Sequence, residues 1–369
     1  MTSSRRLRIV YAAGSSPDAP GLPASRIWRR NLLGTLLEMG AEVHVVDADL
    51  DPLFVAAEDE GSLRILRPAL TGALRRTYAD ARKNGAVDVV FTYFYRGFVD
   101  VEALDEMRRD GAATVNFSCN NIHQFHLVRD IAPHFTMCMI PEPEAMERFR
   151  AAGARPLHLP MAANPAVYKP YPVAPRFDAT FVGQQYADRS AHVLHLLRNG
   201  IDVRVWGNGW APSGGWRRVR RLAALALDGV GLRRGSADDA LLRRASRPPL
   251  ADDQMVRMFS RSRISLGFGV VGDTHLGVPQ YQVRLRDFEA PMSGALYLAQ
   301  HLDELADYYE LGREIETFRD DADLLEKVRH YLRHPDEAQA MRIAGRKRAL
   351  RDHTWRARFE SLFRELGLL

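Results

Sequence analysis

Cysteine is scarce: Cys119 and Cys138 are the only two in 369 residues. Two isolated thiols in apolar surroundings exclude a disulfide framework and offer no paired metal-ligand spacing. Both read as small core residues of a reducing compartment. Long hydrophobic runs are missing as well. No stretch approaches the ~20 apolar residues that a membrane-spanning helix needs. The opening MTSSRRLRIVYAAG meets charge and proline before reaching signal-peptide length, so it reads as a short basic tail leading into a buried strand. The expected location is the cytoplasm, with any membrane contact peripheral and at the inner face. The nucleophile motif G-x-S-x-G is absent, and the run FDATFVGQQYADRS is neither a P-loop ending in Gly-Lys-Ser/Thr nor a G-x-G-x-x-G fingerprint. Charge of one sign is only mildly in excess, at a formal +5. With no DNA- or RNA-binding motif, nucleic acid is not an expected partner, and the surplus suits a phosphorylated small molecule or an acidic membrane face.

What is there is globular text: 46% apolar and 26% charged residues, in a length suited to two α/β domains. Strand-like and helix-like segments alternate, as in parallel sheets with helical crossovers. Strands are expected at Leu7–Ala13, Ala41–Val46, Asp88–Tyr95, Ala113–Phe117, Phe135–Ile140 and Pro156–Leu159. Residues 161–176, MAANPAVYKPYPVAPR, hold four prolines and no helical period, which marks a linker. The alternation then restarts with FDATFVG, a helix at Arg189–Arg198 and a strand at Ile201–Trp206. The tail from Leu324 is helical by pattern, interrupted near His334 and Pro335. Trp216–Arg234 breaks the alternation, with Val219, Leu222, Ala223 and Ala226 on one helical face and arginines around it. It reads as a surface helix packed on its domain, or as a helix resting on anionic headgroups.

Three segments of the second half suit a phosphorylated ligand. FDATFVGQQYADRS runs a strand into Gly183 and a short loop, and Arg189 opens the following helix, where unpaired backbone amides suit phosphate. VRVWGNGW places a second glycine turn, at Gly207, after a strand. RLRDFEAPMSGALYL predicts a short helix from near Phe288, with Glu289 in its first turn and Gly294 permitting close backbone approach. A carboxylate there can accept hydrogen bonds from two vicinal hydroxyls, as on a ribose, while Arg284 and Arg286 can meet a diphosphate with forked hydrogen bonds. The same text also reads as an acidic helix start beside two surface arginines.

In the first half, Gly14 and Ser15 follow the first strand, where an open α/β sheet places its ligands. SCNNIHQFH follows the strand ATVNF in the same topological position and offers Asn120, Asn121, His123 and His126. His123 reads as a general base, as a group that binds a hydroxyl, or as a structural histidine. No nearby carboxylate or cysteine completes a metal set with His123 and His126, so no metal is expected there.

Taken in order, FVGQQYADRS, VRVWGNGW, RLRDFEAPMSGALYL, YYELGREIETFRDDADLLEKVRHYLRHPDEA and DHTWRARFE resemble the group-1 glycosyltransferases of the CgeB-like, spore-maturation type. GAVDVVFTY and AGARPLHLPMAANPAVYKP extend the resemblance weakly into the first half. It implies a GT-B α/β fold of two Rossmann-like domains facing a cleft: 1–165 for the acceptor, 166–350 for the nucleotide sugar, and 351–369 a terminal helix crossing back to the first domain. It implies a hexosyltransferase-type enzyme that moves a sugar from a UDP-, GDP- or dTDP-linked donor to an acceptor without metal or other cofactor, since arginines and helix dipoles neutralise the leaving diphosphate. Donor contacts then fall to Gly183, Arg189, Gly207, Arg284, Glu289 and Gly294, with Glu289 on the ribose and Arg189 and Arg286 at the diphosphate. His123 and Arg286 take the catalytic roles, and Gly14, Ser15 and Asn121 face the acceptor. Two positions depart from the family pattern. Tyr281 stands where many retaining relatives have a glutamate, and Asn120 and Asn121 stand where an acidic residue often follows the strand. A catalytically inactive binding or assembly relative, or an epimerase on the same fold, remain as alternatives.

Overall fold

The computed structural model describes residues 6–14, 27–210, 233–271 and 277–369. Ser15 and nearly all of the segment 216–234 lie outside the described residues. The chain divides into two units: Met1–Asn164 together with His353–Leu369, and Pro165–Asp352. Each is built on a six-stranded parallel sheet.

In the first unit, β1 (Arg8–Ala12), β2 (Glu42–Val45), β3 (Val89–Thr92), β4 (Ala113–Phe117), β5 (Met137–Ile140) and β6 (Pro156–His158) assemble in the order β2-β1-β3-β4-β5-β6. Every residue of β3 and β5 is buried, which is why these strands read as continuous apolar runs and not as an alternation. Helices α1 (Glu60–Arg82), α2 (Val101–Arg109) and α3 (Asn121–Val128) lie among the crossovers. Asp59 starts α1 by accepting a hydrogen bond from the Gly61 amide at 3.0 Å.

In the second unit, β7 (Phe177–Val182), β8 (Val203–Trp206), β9 (Ser246–Arg247), β10 (Ser262–Gly267), β11 (Tyr297–Gln300) and β12 (Glu316–Phe318) assemble in the order β12-β11-β10-β7-β8-β9. Helices α4 (Arg189–Arg198), α5 (Asp252–Arg261), α6 (Arg286–Met292), α7 (Asp321–Arg333) and α8 (Pro335–Asp352) accompany them. The core gathers Phe181, Val193, Leu196, Val205, Leu266, Leu298 and Phe318 between sheet and helices. Helix α6 begins at Arg286, two residues ahead of the expected start, so Glu289 is its fourth residue.

The last helix, α9 (Trp355–Glu365), packs within the first unit. Trp355 and Phe359 are fully buried there, their rings meeting Phe117 at 5.9 Å and Phe91 at 5.5 Å.

In both sheets the strand order reverses once, between β1 and β3 and between β7 and β10. Loops leaving the carboxyl ends of two such strands diverge to opposite sides and open a crevice, the place where doubly wound sheets bind ligands. In the second sheet the loops concerned are 183–188 after β7 and 268–271 after β10.

Candidate functional site

Arg189 is the first residue of α4 and yet only 5% exposed. Its guanidinium folds back over the Tyr186 ring, 3.6 Å from the centroid, with Phe181 at 5.2 Å. It donates to Gln184 O at 2.8 Å, to the Tyr186 hydroxyl at 2.6 Å, and to Phe268 O and Val270 O at 3.4 and 3.3 Å. Arg284 reaches the same place from the turn before α6, donating to the Tyr186 hydroxyl at 3.1 Å and to Val270 O at 2.9 Å. Two cations thus converge on one hydroxyl and one carbonyl at the reversal point of the second sheet.

Neither has a carboxylate within ion-pair distance among the described residues, and the Nε of each is buried without a partner. Burial, and to a lesser degree the charge of Arg284, pushes the Arg189 pKa down to about 10. Like charges this close repel by on the order of a few kcal/mol at the effective dielectric of a protein site. An anion such as phosphate or diphosphate would remove that cost and accept from the guanidinium edges.

The surroundings hold both arginines in place. Asp287 accepts from the Arg284 amide and from the Tyr297 hydroxyl, each at 2.5 Å, and burial lifts its pKa to about 6. No motif of its own marks Asp287 in the sequence, although its spacing of three after Arg284 is that of a residue bracing a helix start. Loop 183–188 is pinned by its neighbour. The Gly183 amide donates to Trp206 O and the Gln185 amide to Asn208 O, both at 2.8 Å, and Trp210 Nε1 donates to Gly183 O at 2.8 Å. Gly207 makes this crossing feasible: at φ +149°, a Cβ on it would stand 2.0 Å from Gly183 O. Gly183 and Gly207 therefore serve loop-on-loop packing.

Three other expected donor contacts are placed differently. Arg286 does not join the arginine pair. Its Nη1 meets Glu289 Oε2 at 2.9 Å and Met255 Sδ at 3.1 Å, with the Phe259 ring at 5.4 Å. Glu289 is 1% exposed, paired with Arg286 and hydrogen bonded to Tyr168, and burial raises its pKa. In this structure Glu289 stands in an internal ion pair. Gly294 ends α6 at φ +73°, and the close approach it permits is to Pro170, 3.1 Å from where a Cβ would lie.

In the first unit, Asn121 is likewise buried in internal bonds. It accepts from Ser118 Oγ at 3.0 Å and donates to Ser118 O at 3.0 Å and to Glu142 Oε2 at 2.7 Å. Asn121 thus braces the β4–α3 turn. Glu142, from the loop after β5, also accepts from the Asn120 amide at 2.5 Å, where Asn120 takes the left-handed φ of 64°. The acidic residue that the text after β4 lacks is supplied by the neighbouring strand's loop, a substitution that only the sheet order reveals. Burial pushes Glu142 up to about 7 against these hydrogen bonds. His123 is half-buried on the first turn of α3, its amide donating to Asn120 O at 3.2 Å, and Gly14 is half-buried after β1.

Residues 189–364, just under half of the chain, match the family described as "Glycosyl transferase-like". This stretch opens on Arg189 itself and takes in Arg284, so the matched segment contains the arginine pair. The architecture of the chain is the GT-B one, two α/β units on parallel sheets. It is similar to sucrose-phosphate synthase from Thermosynechococcus elongatus (TM-score 0.61, 12% identity, 98% of this chain and 99% of that one). It is also similar to Anabaena HepE in complex with UDP and glucose (0.54, 14%, 99% and 100%). A third likeness is to AviGT4, a glycosyltransferase involved in avilamycin A biosynthesis (0.56, 16%, 98% and 97%). At these identities the likeness is one of fold. No curated protein matches the sequence. Among the described residues no helix is long and apolar enough to cross a membrane.

Proposed function

We propose that the protein is a glycosyltransferase that takes its sugar from a nucleotide-sugar donor, the donor diphosphate lying on Arg189 and Arg284. One observation carries the reading: two carboxylate-free guanidinium groups meet at the reversal point of the second sheet, inside the matched segment. Departure of a nucleotide concentrates negative charge on the leaving diphosphate, and fixed cations there act most strongly in the transition state. Arg284 takes the place expected of Arg286, and the two guanidinium groups supply the charge that a divalent ion supplies elsewhere, so turnover should survive EDTA. The first unit would receive the acceptor, with His123 as the base of an inverting reaction. The family subtype is CgeB-like, and a hexose is the transferred group. HepE was crystallised with UDP and glucose, which makes UDP the first probe.

The test is calorimetric titration with UDP, GDP and dTDP, followed by donor hydrolysis assays. Micromolar binding that Arg284→Ala weakens, with slow hydrolysis of the matching sugar nucleotide, supports the reading. No binding of any nucleoside diphosphate overturns it. A second reading, a binding relative without turnover, draws on Tyr281 at the glutamate position and on the internal pairing of Glu289. It predicts nucleotide binding with no hydrolysis or transfer.

A further inference from the structure

The corner between α7 and α8 carries chemistry that the nucleotide site does not use. His330 lies in the last turn of α7, His334 is the residue that ends it, and Glu337 lies in the first turn of α8 beyond Pro335. One ring nitrogen of each histidine and one Glu337 oxygen all lie within 4.8 Å of one another. We propose that His330, His334 and Glu337 form a surface site for a divalent first-row transition ion, with zinc as its reference ligand.

The helix break builds the cluster. His330 and His334 are four residues apart, the spacing that stacks side chains on one helical face, and their rings sit 4.3 Å apart at 27°. The chain then turns through Pro335 and brings Glu337 back, so that its Oε2 meets His330 Nε2 at 2.8 Å. His334 Nδ1 lies 2.8 Å from His330 O. That contact requires Nδ1 to carry the hydrogen, which leaves the Nε2 lone pair for a metal, the arrangement in which a carbonyl orients a metal-binding imidazole. The carbonyl-rich end of α7 adds a favourable field for a cation.

Size and ligand type set the ion class. With metal–nitrogen and metal–oxygen bonds of about 2.0–2.2 Å, tetrahedral ligands stand about 3.3–3.5 Å apart, so closure needs side-chain movements on the order of 1 Å. Two imidazoles and one carboxylate suit Zn²⁺, Co²⁺, Ni²⁺ or Cu²⁺ and not Mg²⁺ or Ca²⁺, which prefer all-oxygen shells. His330 is half-buried and His334 exposed, so water completes the shell, and the ion clamps the α7–α8 corner without taking part in sugar transfer.

The experiment uses the full-length protein without a histidine tag. Zn²⁺ is titrated by calorimetry and Co²⁺ by visible absorption, against Mg²⁺ as control, in the wild type and in His334→Ala, Glu337→Gln and His123→Ala. The expected result is one micromolar site for Zn²⁺, tetrahedral Co²⁺ bands, no Mg²⁺ binding, and at least tenfold weaker affinity in His334→Ala and Glu337→Gln but not in His123→Ala. Affinity weaker than millimolar in the wild type, or affinity unchanged in His334→Ala, overturns the proposal. Both readouts are independent of nucleotide binding, so failure here leaves the glycosyltransferase reading standing.

Discussion

Arg189 and Arg284 donate to the same two oxygens, the Tyr186 hydroxyl and the Val270 carbonyl, although they lie far apart in sequence. Each should contribute charge-assisted hydrogen bonds worth about 1.5–3 kcal/mol to a diphosphate. Arg284→Ala is expected to weaken UDP binding by about 10–100-fold in calorimetry. Without nucleotide, the same change should leave the melting temperature level or higher, because it relieves repulsion. A large loss of stability in the empty protein would mean the pair is structural. Pyrophosphate alone should raise the melting temperature of the wild type more than that of the variant.

Gly207→Ala should be among the most damaging small changes in the second unit. The new methyl meets a backbone oxygen, which cannot step aside as a side-chain tip can. A loss of at least 2–3 kcal/mol is expected, with weakened nucleotide binding because loop 183–188 must shift. Gly200→Ala is the control. It has φ +81° with nothing within 4 Å of the new methyl, so it should cost only the ~1–2 kcal/mol of a left-handed residue. Equal losses in chemical denaturation would refute the steric account.

The Arg286–Glu289 pair predicts a stability phenotype where the sequence predicted a binding one. Arg286→Ala strands a buried carboxylate and should cost about 3–5 kcal/mol. Adding Glu289→Gln removes the stranded charge and should recover a good part of that loss. If Glu289→Gln alone leaves stability intact and abolishes UDP binding, the ribose role stands and the pair opens on binding.

Buried carboxylates make stability fall as the solution becomes more alkaline. Glu142 rises from an ordinary 4.5 to about 7 and Asp287 from 3.8 to about 6, both chiefly through burial. A carboxyl whose folded pKa is raised binds its proton more tightly in the native state. Its contribution is complete below the unfolded pKa and is lost as pH climbs through the folded one. Glu142 alone accounts for on the order of 3 kcal/mol between pH 4.5 and 7. Urea midpoints should therefore drop from pH 5 to pH 7.5, and Glu142→Gln should flatten part of that slope. A stability that climbs over this range would contradict the assignment.

The sheets were largely legible because strands buried on both faces leave unbroken apolar runs, as VVFT and MCMI do. Strand ends were not: the stretch Asp88–Tyr95 pairs only over Val89–Thr92, since aromatic residues beyond the ladder pack just as deeply. The site was half legible. Arg189 and Arg284 stood out by position after a strand and before a helix. Which of Arg284 and Arg286 faces the loops depends on where α6 starts, and a start two residues early turns Arg286 and Glu289 toward α5. Glu142 was invisible because its role comes from β5 lying beside β4, a matter of sheet order that no local pattern encodes.

The first unit joins two stretches far apart in sequence, Met1–Asn164 and His353–Leu369, and this sets the order in which it can be finished as it is made. A protein emerging from the ribosome ordinarily completes its amino-terminal domain first. Here the sheet of β1–β6 must wait, through the whole synthesis of Pro165–Asp352, for Trp355, Phe359, Leu362 and Phe363 of α9. Four buried side chains of this size contribute about 6–12 kcal/mol, comparable with the entire net stability of a domain. A chain stopped at Asp352 would carry a finished second unit beside a first unit with a bare apolar face. His353–Leu369 thus closes the first unit: until that segment is made, the apolar face stays open to aggregation and to proteases.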